Sequence, residues 1–308
     1  MKRPAFGVAS FLTVALLIAP PARAEMSVFA CEPEWGALAQ ELGGKDVDVY
    51  VATTARQDPH QIQARPALIA RLRRADLVVC TGAELEIGWM PVVLRQAANG
   101  KVQPGASGYF EATQQVRLLE VPTVLDRSMG DIHPAGNPHI QTGAQNFPPV
   151  ATALAARLAA LDPSHAAAYA QRRDAFLKRW QDAMARWQTQ AAPLKGLKIV
   201  GYHKEWIYLT SWLGMDETAT IQPKPGVPPG SASLAQLLED IPRRGIQMVV
   251  YAAYEDARAS EYVAQQSKLP LVLLPFTVGG TDGAKDLFGL FDDTIARLVA
   301  GLEKSPAH

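Results

Sequence analysis

Three histidines carry most of the chemistry open to this chain. His60 follows Asp58-Pro59, His139 follows Asn137-Pro138, and His203 directly follows the strand-like run 198–202. Neutral imidazole is a good ligand for zinc, copper, nickel and iron. Proline fixes its own φ and pushes the preceding residue into an extended conformation, so His60 and His139 sit on stiffened backbone. A stiff ligand loses little entropy when it binds an ion. The separations of 79 and 64 residues fit no local zinc motif such as H-E-x-x-H or paired C-x-x-C. The three can share a metal only if the fold gathers them. Spacing alone leaves open that each is an ordinary hydrogen-bonded histidine at a strand end.

Composition removes other classes. Thirty basic residues balance thirty acidic ones among 308, so no bulk positive charge is available for nucleic acid. A 48% hydrophobic share with 19% charged residues is that of a globular chain. Two cysteines cannot build a four-cysteine zinc site or hold an iron–sulfur cluster. There is no P-loop, no G-x-G-x-x-G and no G-x-S-x-G, so any ATP hydrolysis belongs to a partner. His133, with Asp126 and Asp131 in the segment 125–136, reads either as a transient ligand passing metal to the site or as a solvated loop histidine. His165 reads as exposed at a helix start, and His308 as a mobile terminus. Arg71, Arg73 and Arg74 read as a solvated basic helix face.

The first 24 residues read as an address. Lys2 and Arg3 precede the apolar run 5–19, Pro20-Pro21 ends it, and Ala22-Arg23-Ala24 offers a cleavage site before Glu25. The run is shorter than the ~20 residues a membrane span needs. An uncleaved anchor is the alternative. A faint lipid-attachment box, Val28-Phe29-Ala30-Cys31, lies past the cleavage site inside an expected strand. Cleavage removes Lys2, Arg3 and Arg23 and no acid, leaving a mildly acidic exported chain. In an oxidising compartment Cys31 and Cys80, both near strand ends, either pair or stay as buried thiols.

Beyond residue 25 the pattern predicts strands at 27–31, 47–52 and 76–80 with helices at 34–42 and 66–74 between them. The same alternation restarts with strands at 198–202, 248–252 and 271–275 and helices at 205–213 and 256–267. Alternating strands and helices imply parallel sheet. Ala166–Gln190 runs 25 residues without Gly or Pro, and Tyr169, Phe176, Trp180, Met184 and Trp187 fall on one helical face. Such a helix would be about 37 Å long. Trp180 and Trp187 read as its packing rather than as a ligand-stacking site. The expected fold is therefore α/β, with two lobes of parallel sheet flanked by helices, one long helical strut, and a metal cleft between the lobes. The expected division is a signal peptide at 1–24, an N-terminal lobe at 25–165, a linking helix at 166–192 and a C-terminal lobe at 193–308. A single sheet with one long helix packed on it is the simpler alternative.

The chain resembles the periplasmic solute-binding proteins of zinc- and manganese-uptake ABC transporters, the cluster A-I family. The resemblance rests on Asp58-Pro59-His60, on Ala75-Asp76-Leu77-Val78-Val79 leading to Thr81-Gly82-Ala83-Glu84-Leu85-Glu86, on Asn137-Pro138-His139-Ile140, on Leu161-Asp162-Pro163 ahead of Tyr169, and on His203. It implies that His60 and His139 ligate from the first lobe and His203 from the second. Zinc-type members carry histidine at this third place and manganese-type members carry glutamate. Three imidazoles suit Zn²⁺ as the transported ligand, whereas Mn²⁺ prefers oxygen. Glu205, two residues on, would shift the balance toward manganese if it were the ligand. The resemblance also implies a periplasmic monomer, not an enzyme, that delivers its ion to a membrane permease with a cytoplasmic ATPase. The strut would limit hinge opening.

The fourth ligand departs from the family pattern. An aspartate is expected after the last strand of the second lobe, and Val278 stands there. Asp282 is the nearest carboxylate and is the expected fourth ligand, with Gly279, Gly280 and Gly283 to let its loop fold inward. Glu205, Asp286 and a water are the alternatives. Asp286 also suits a helix cap. Three histidines plus water could equally activate a nucleophile, so a zinc hydrolase is a rival reading, with Glu205 its only candidate base. A manganese- or iron-binding member of the same family, and a binder of an organic ligand or metal chelate, are further rivals.

Overall fold

The computed structural model describes residues 25–124, 130 and 133–304; the segment 1–24 expected to be a signal peptide, Asp126, Asp131 and His308 lie outside the described residues. The first sheet contains β1 (Met26–Ala30), β2 (Val47–Val51), β3 (Leu77–Cys80) and β4 (Tyr109–Glu111), all parallel, in the order β2-β1-β3-β4. The second contains β5 (Lys198–Gly201), β6 (Asp216–Thr220), β7 (Met248–Ala252) and β8 (Leu271–Leu274), also parallel, in the order β6-β5-β7-β8. Helices α1 (Pro33–Gly43), α2 (Pro66–Leu72) and α3 (Met90–Ala97) connect the first set. Helices α4 (Phe147–Leu161) and α5 (Ala166–Gln190) lead from one sheet to the other. Helices α6 (Ile207–Leu213), α7 (Ser231–Arg244) and α8 (Ala257–Ser267) connect the second set, and α9 (Leu287–Leu302) follows it. The two-lobed α/β reading holds, in place of a single sheet.

Side chains alternate across a strand, and both sheets use that alternation to serve two cores. Val28, Ala30, Leu77 and Val79 face one continuous core that also takes Ile199, Met248, Val250 and Ala252 from the second sheet. Their neighbours Phe29, Val78 and Cys80 face α2 and α3, while Val200 and Val249 face α7 and α8. The shared core is built on α5. Trp180 is fully buried, its ring centroid 5.0 Å from Phe147, 5.1 Å from Trp187 and 5.6 Å from Phe291. Its indole N–H donates to the Ala144 carbonyl at 2.9 Å. Near the start of the helix Arg172 donates to Asp46 of the first lobe at 2.7 Å, and near its end Trp187 donates to Asp292 of α9 at 2.6 Å. Met184, expected on the buried face, is half-buried, and Ala183 takes the inner position.

The lobes also meet through polar groups. The Thr277 hydroxyl, beyond β8, donates to the Glu34 carboxylate on α1. Asn137 donates to the Lys204 carbonyl at 2.8 Å, and Tyr208 donates to the Asn137 carbonyl at 2.6 Å. Beside Glu34, the Trp35 indole donates to Thr81, whose hydroxyl donates to Glu32 at 3.1 Å. Glu86 accepts from the Thr81 and Gly82 amides at 2.7 and 3.1 Å. Burial pushes Glu34 and Glu86 up to about 7, the hydrogen bonds they accept opposing it. Cys31 and Cys80, which leave adjacent strands side by side, form a disulfide with Cα atoms 4.8 Å apart, so the thiol alternative does not hold.

Two outcomes follow. Trp180→Ala should lower the urea midpoint at unchanged m, equivalent to about 3–5 kcal/mol, because it removes a large side chain from a closed core. Glu34 binds its proton more tightly folded than unfolded, so its contribution to stability is complete below the unfolded value near 4.5 and is lost as pH rises toward about 7. Glu34→Gln should remove up to about 1.4 kcal/mol per pH unit of that decline, read as denaturation midpoints between pH 5 and 8.

Candidate metal centre

Both x-Pro-His segments fold by one local rule. Proline has no amide hydrogen, so the side-chain oxygen two residues before each histidine turns onto the histidine itself. Asp58 Oδ1 accepts from the His60 amide at 3.0 Å and from ring Nδ1 at 2.8 Å. Asn137 Oδ1 makes the same pair with His139, at 3.0 and 2.8 Å. His203 leaves β5 and its Nδ1 lies 2.9 Å from Oε1 of Gln222, in the segment after β6. These oxygens only accept, so Nδ1 is the donor in each ring and Nε2 is the nitrogen left to meet an ion. Nε2 of His60 and of His139 is buried without a hydrogen-bond partner among the described residues.

The three rings converge. One nitrogen from each of His60, His139 and His203 lies within 4.8 Å of the others. Ring centroids are 5.3 Å apart for His60 and His139, 5.6 Å for His60 and His203, and 5.2 Å for His139 and His203. Imidazoles bound at about 2.0–2.1 Å to one tetrahedral ion have centroids about 5.2 Å apart. His139 is 1% exposed. Burial, and then the neighbouring His203, His60 and His133, hold it well below the ordinary histidine range, so its ring is neutral at pH 7. The hydrogen bonds from His60 hold Asp58 below the usual carboxylate range against the opposing effect of its burial. A cavity of about 260 Å³ reaches His60 and His203 between Asp58, Tyr202, Gln222 and Tyr254.

The carboxylate candidates are outside this trio. Asp282 is exposed between β8 and α9 and is outside the group. Asp286 caps α9, accepting from the Gly289 amide at 2.8 Å. Glu205 is fully buried and accepts from the Tyr254 hydroxyl at 2.6 Å. Burial, and then the Glu255 carboxylate beside it, hold Glu205 well above its ordinary value. His165 is half-buried rather than exposed, with Nδ1 2.5 Å from Asp162. His133 is half-buried too, with its ring 5.5 Å from His60 and 6.2 Å from His139. Burial and then the nearby His60 and His203 bring its pKa down to about 4. A second metal-capable set, Cys31, Cys80 and Glu86, has its thiols consumed by the disulfide.

The oxygens that orient the rings are the residues sequence reasoning passed over. Asp58 and Asn137 matter as Nδ1 acceptors, and an Asx residue two places before each histidine is the signal that marks them. Gln222 is 19 residues from His203 and carries no such signal.

Two parallel-sheet lobes braced by one long helix, with histidines from both meeting at the strand ends, are the build of a metal-binding solute-binding protein of the cluster A-I type. The chain belongs to the family described as zinc-uptake complex component A, periplasmic, whose family model matches residues 28–301. It is thus the metal-binding periplasmic component of an ABC uptake system, from a transport family rather than an enzyme family. Such components work with a permease and an ATPase. It is 22% identical over 323 residues to the high-affinity zinc uptake system protein ZnuA of Paracoccus denitrificans, covering 93% of each chain. It is 19% identical over 272 residues to the manganese ABC transporter substrate-binding lipoprotein PsaA of Streptococcus anginosus, covering 87% of this chain and 86% of that protein. Its fold matches a crystal structure of ZnuA with a TM-score of 0.75 at 22% identity, over 90% of this chain and 99% of that one. It also matches the periplasmic metal-binding protein of Candidatus Liberibacter asiaticus at 0.73 and 16%, over 90% and 100%.

Because Asp58 fixes the His60 tautomer, Asp58→Ala should weaken metal binding about 10–100-fold in a chelator competition. Asp58→Asn keeps an acceptor oxygen and should lose much less.

Proposed function

We propose that this protein captures Zn²⁺ in the periplasm, after cleavage of residues 1–24, and delivers it as a monomer to its permease. His60 and His139 of an N-terminal lobe at 25–165 and His203 of a C-terminal lobe at 193–308 hold the ion, with the 166–192 helix between them. The observation that carries this reading is the tetrahedral spacing of three imidazoles with no carboxylate in the group among the described residues. Nitrogen-only donors favour zinc, whereas manganese prefers oxygen. A manganese relative and a zinc relative match this chain about equally well, so the donor set is what favours zinc. A cavity of about 260 Å³ falls below the usual range for organic ligands and suits an ion with its water. Glu205, the only base a hydrolase reading offers, is engaged with Tyr254.

Calorimetry and metal analysis on the mature chain test this. The expected result is one zinc per chain, retained against excess manganese, with loss of binding in His60→Ala, His139→Ala and His203→Ala. Full zinc affinity in all three variants would sink the site, and equal retention of manganese would sink the choice of metal.

A further inference from the structure

Three imidazoles leave a tetrahedral ion one ligand short, and one more imidazole stands against the trio. The His133 ring lies 5.5 Å from His60 and 6.2 Å from His139, beside the 5.2–5.6 Å separations within the trio. Its Nε2 is buried without a hydrogen-bond partner among the described residues. The Ala83 backbone beside the ring acts to raise its pKa, against the larger lowering by burial. Ala83 lies in an unusual turn in which it and Glu84 both have positive φ, 50° and 66°. Both are conformations that non-glycine residues seldom adopt. The carboxylates that might compete are outside the histidine group: Asp282 is exposed, Asp286 caps α9, and Glu205 accepts from Tyr254 through Oε2 while its Oε1 is buried without a hydrogen-bond partner among the described residues.

We propose that His133 is the fourth protein ligand, so that the ion sits among four imidazoles and no carboxylate. This rests on the trio proposed above. The ring stands outside the group of ligand nitrogens that lie within 4.8 Å of one another, and must advance from its 6.2 Å separation from His139 to reach the spacing the trio already has. An all-nitrogen shell sharpens selection for zinc, because manganese then meets none of the oxygens it prefers.

X-ray absorption on the mature protein loaded with one equivalent of zinc tests this. The wild type should show four nitrogen ligands with four imidazole scattering patterns. His133→Ala should show three, with zinc affinity down at least about tenfold. His133→Asp should restore a fourth ligand through oxygen and narrow the preference for zinc over manganese. Asp282→Asn should change neither the shell nor the affinity. An unchanged shell and affinity in His133→Ala, with binding still lost in the His60, His139 and His203 variants, would overturn the four-imidazole shell alone. Loss of an oxygen ligand in Asp282→Asn would overturn it as well. A wild-type shell that none of the four histidine variants alters would overturn the trio itself.

Discussion

Buried ring nitrogens left without hydrogen-bond partners are an unfavourable arrangement, and this structure maintains it at its centre. A buried polar atom left without a partner costs about 1–3 kcal/mol. Nε2 of His60 and of His139 both stand that way. The arrangement survives because the other nitrogen of each ring is fixed by Asp58, Asn137 or Gln222, so no rotation or tautomer change relieves it cheaply. Burial also keeps His139 neutral, so protonation does not relieve it either. A cation is the group that satisfies all of these atoms at once.

Holding that geometry across two lobes requires that the lobes not drift. Helix α5 does this with one aromatic face, because Trp180 touches Phe147 from α4 and Phe291 from α9 in the same core. Polar ties reinforce it within a few residues of the ligands. Asn137 orients His139 through Oδ1 and reaches the Lys204 carbonyl, next to His203, through Nδ2. One side chain thus sets a ring in the first lobe and a backbone position in the second. A frame so tightly coupled leaves the loops as the parts that can yield.

Much of this was legible in the sequence, and the exceptions have physical causes. The central strands β1, β3, β5 and β7 are short apolar runs buried on both faces, and they read as strands at once. The edge strands β4 and β6 did not. β4 is only three residues, and β6 has the polar sequence Asp-Glu-Thr-Ala-Thr, which carries little burial signal. Helix α5 was clear because one aromatic face persisted through 25 residues. At the centre, the prolines marked His60 and His139, but the asparagine and aspartate ahead of them do the orienting. Gln222 reaches His203 only through the pairing of β5 with β6, and no local pattern could announce it. The approach of His133 to His60, 73 residues away in the chain, likewise carries no local signal.

The shared strand order of the two sheets has a further consequence. In each lobe the central strand runs out into a segment with a glutamate and a tryptophan at the same offsets: Glu34-Trp35 after β1 and Glu205-Trp206 after β5. Both glutamates are fully buried and both accept from a hydroxyl, that of Thr277 in one case and of Tyr254 in the other. Two residues ahead of these glutamates stand Glu32 in the first lobe and His203 in the second. The two halves thus share a local layout in which the position two before the glutamate differs in chemistry. The same socket serves a buried carboxylate network in one half and a metal ligand in the other. A near-twofold scaffold in this way yields a one-sided centre, with its weight of ligands on the half whose own socket does not bind the ion.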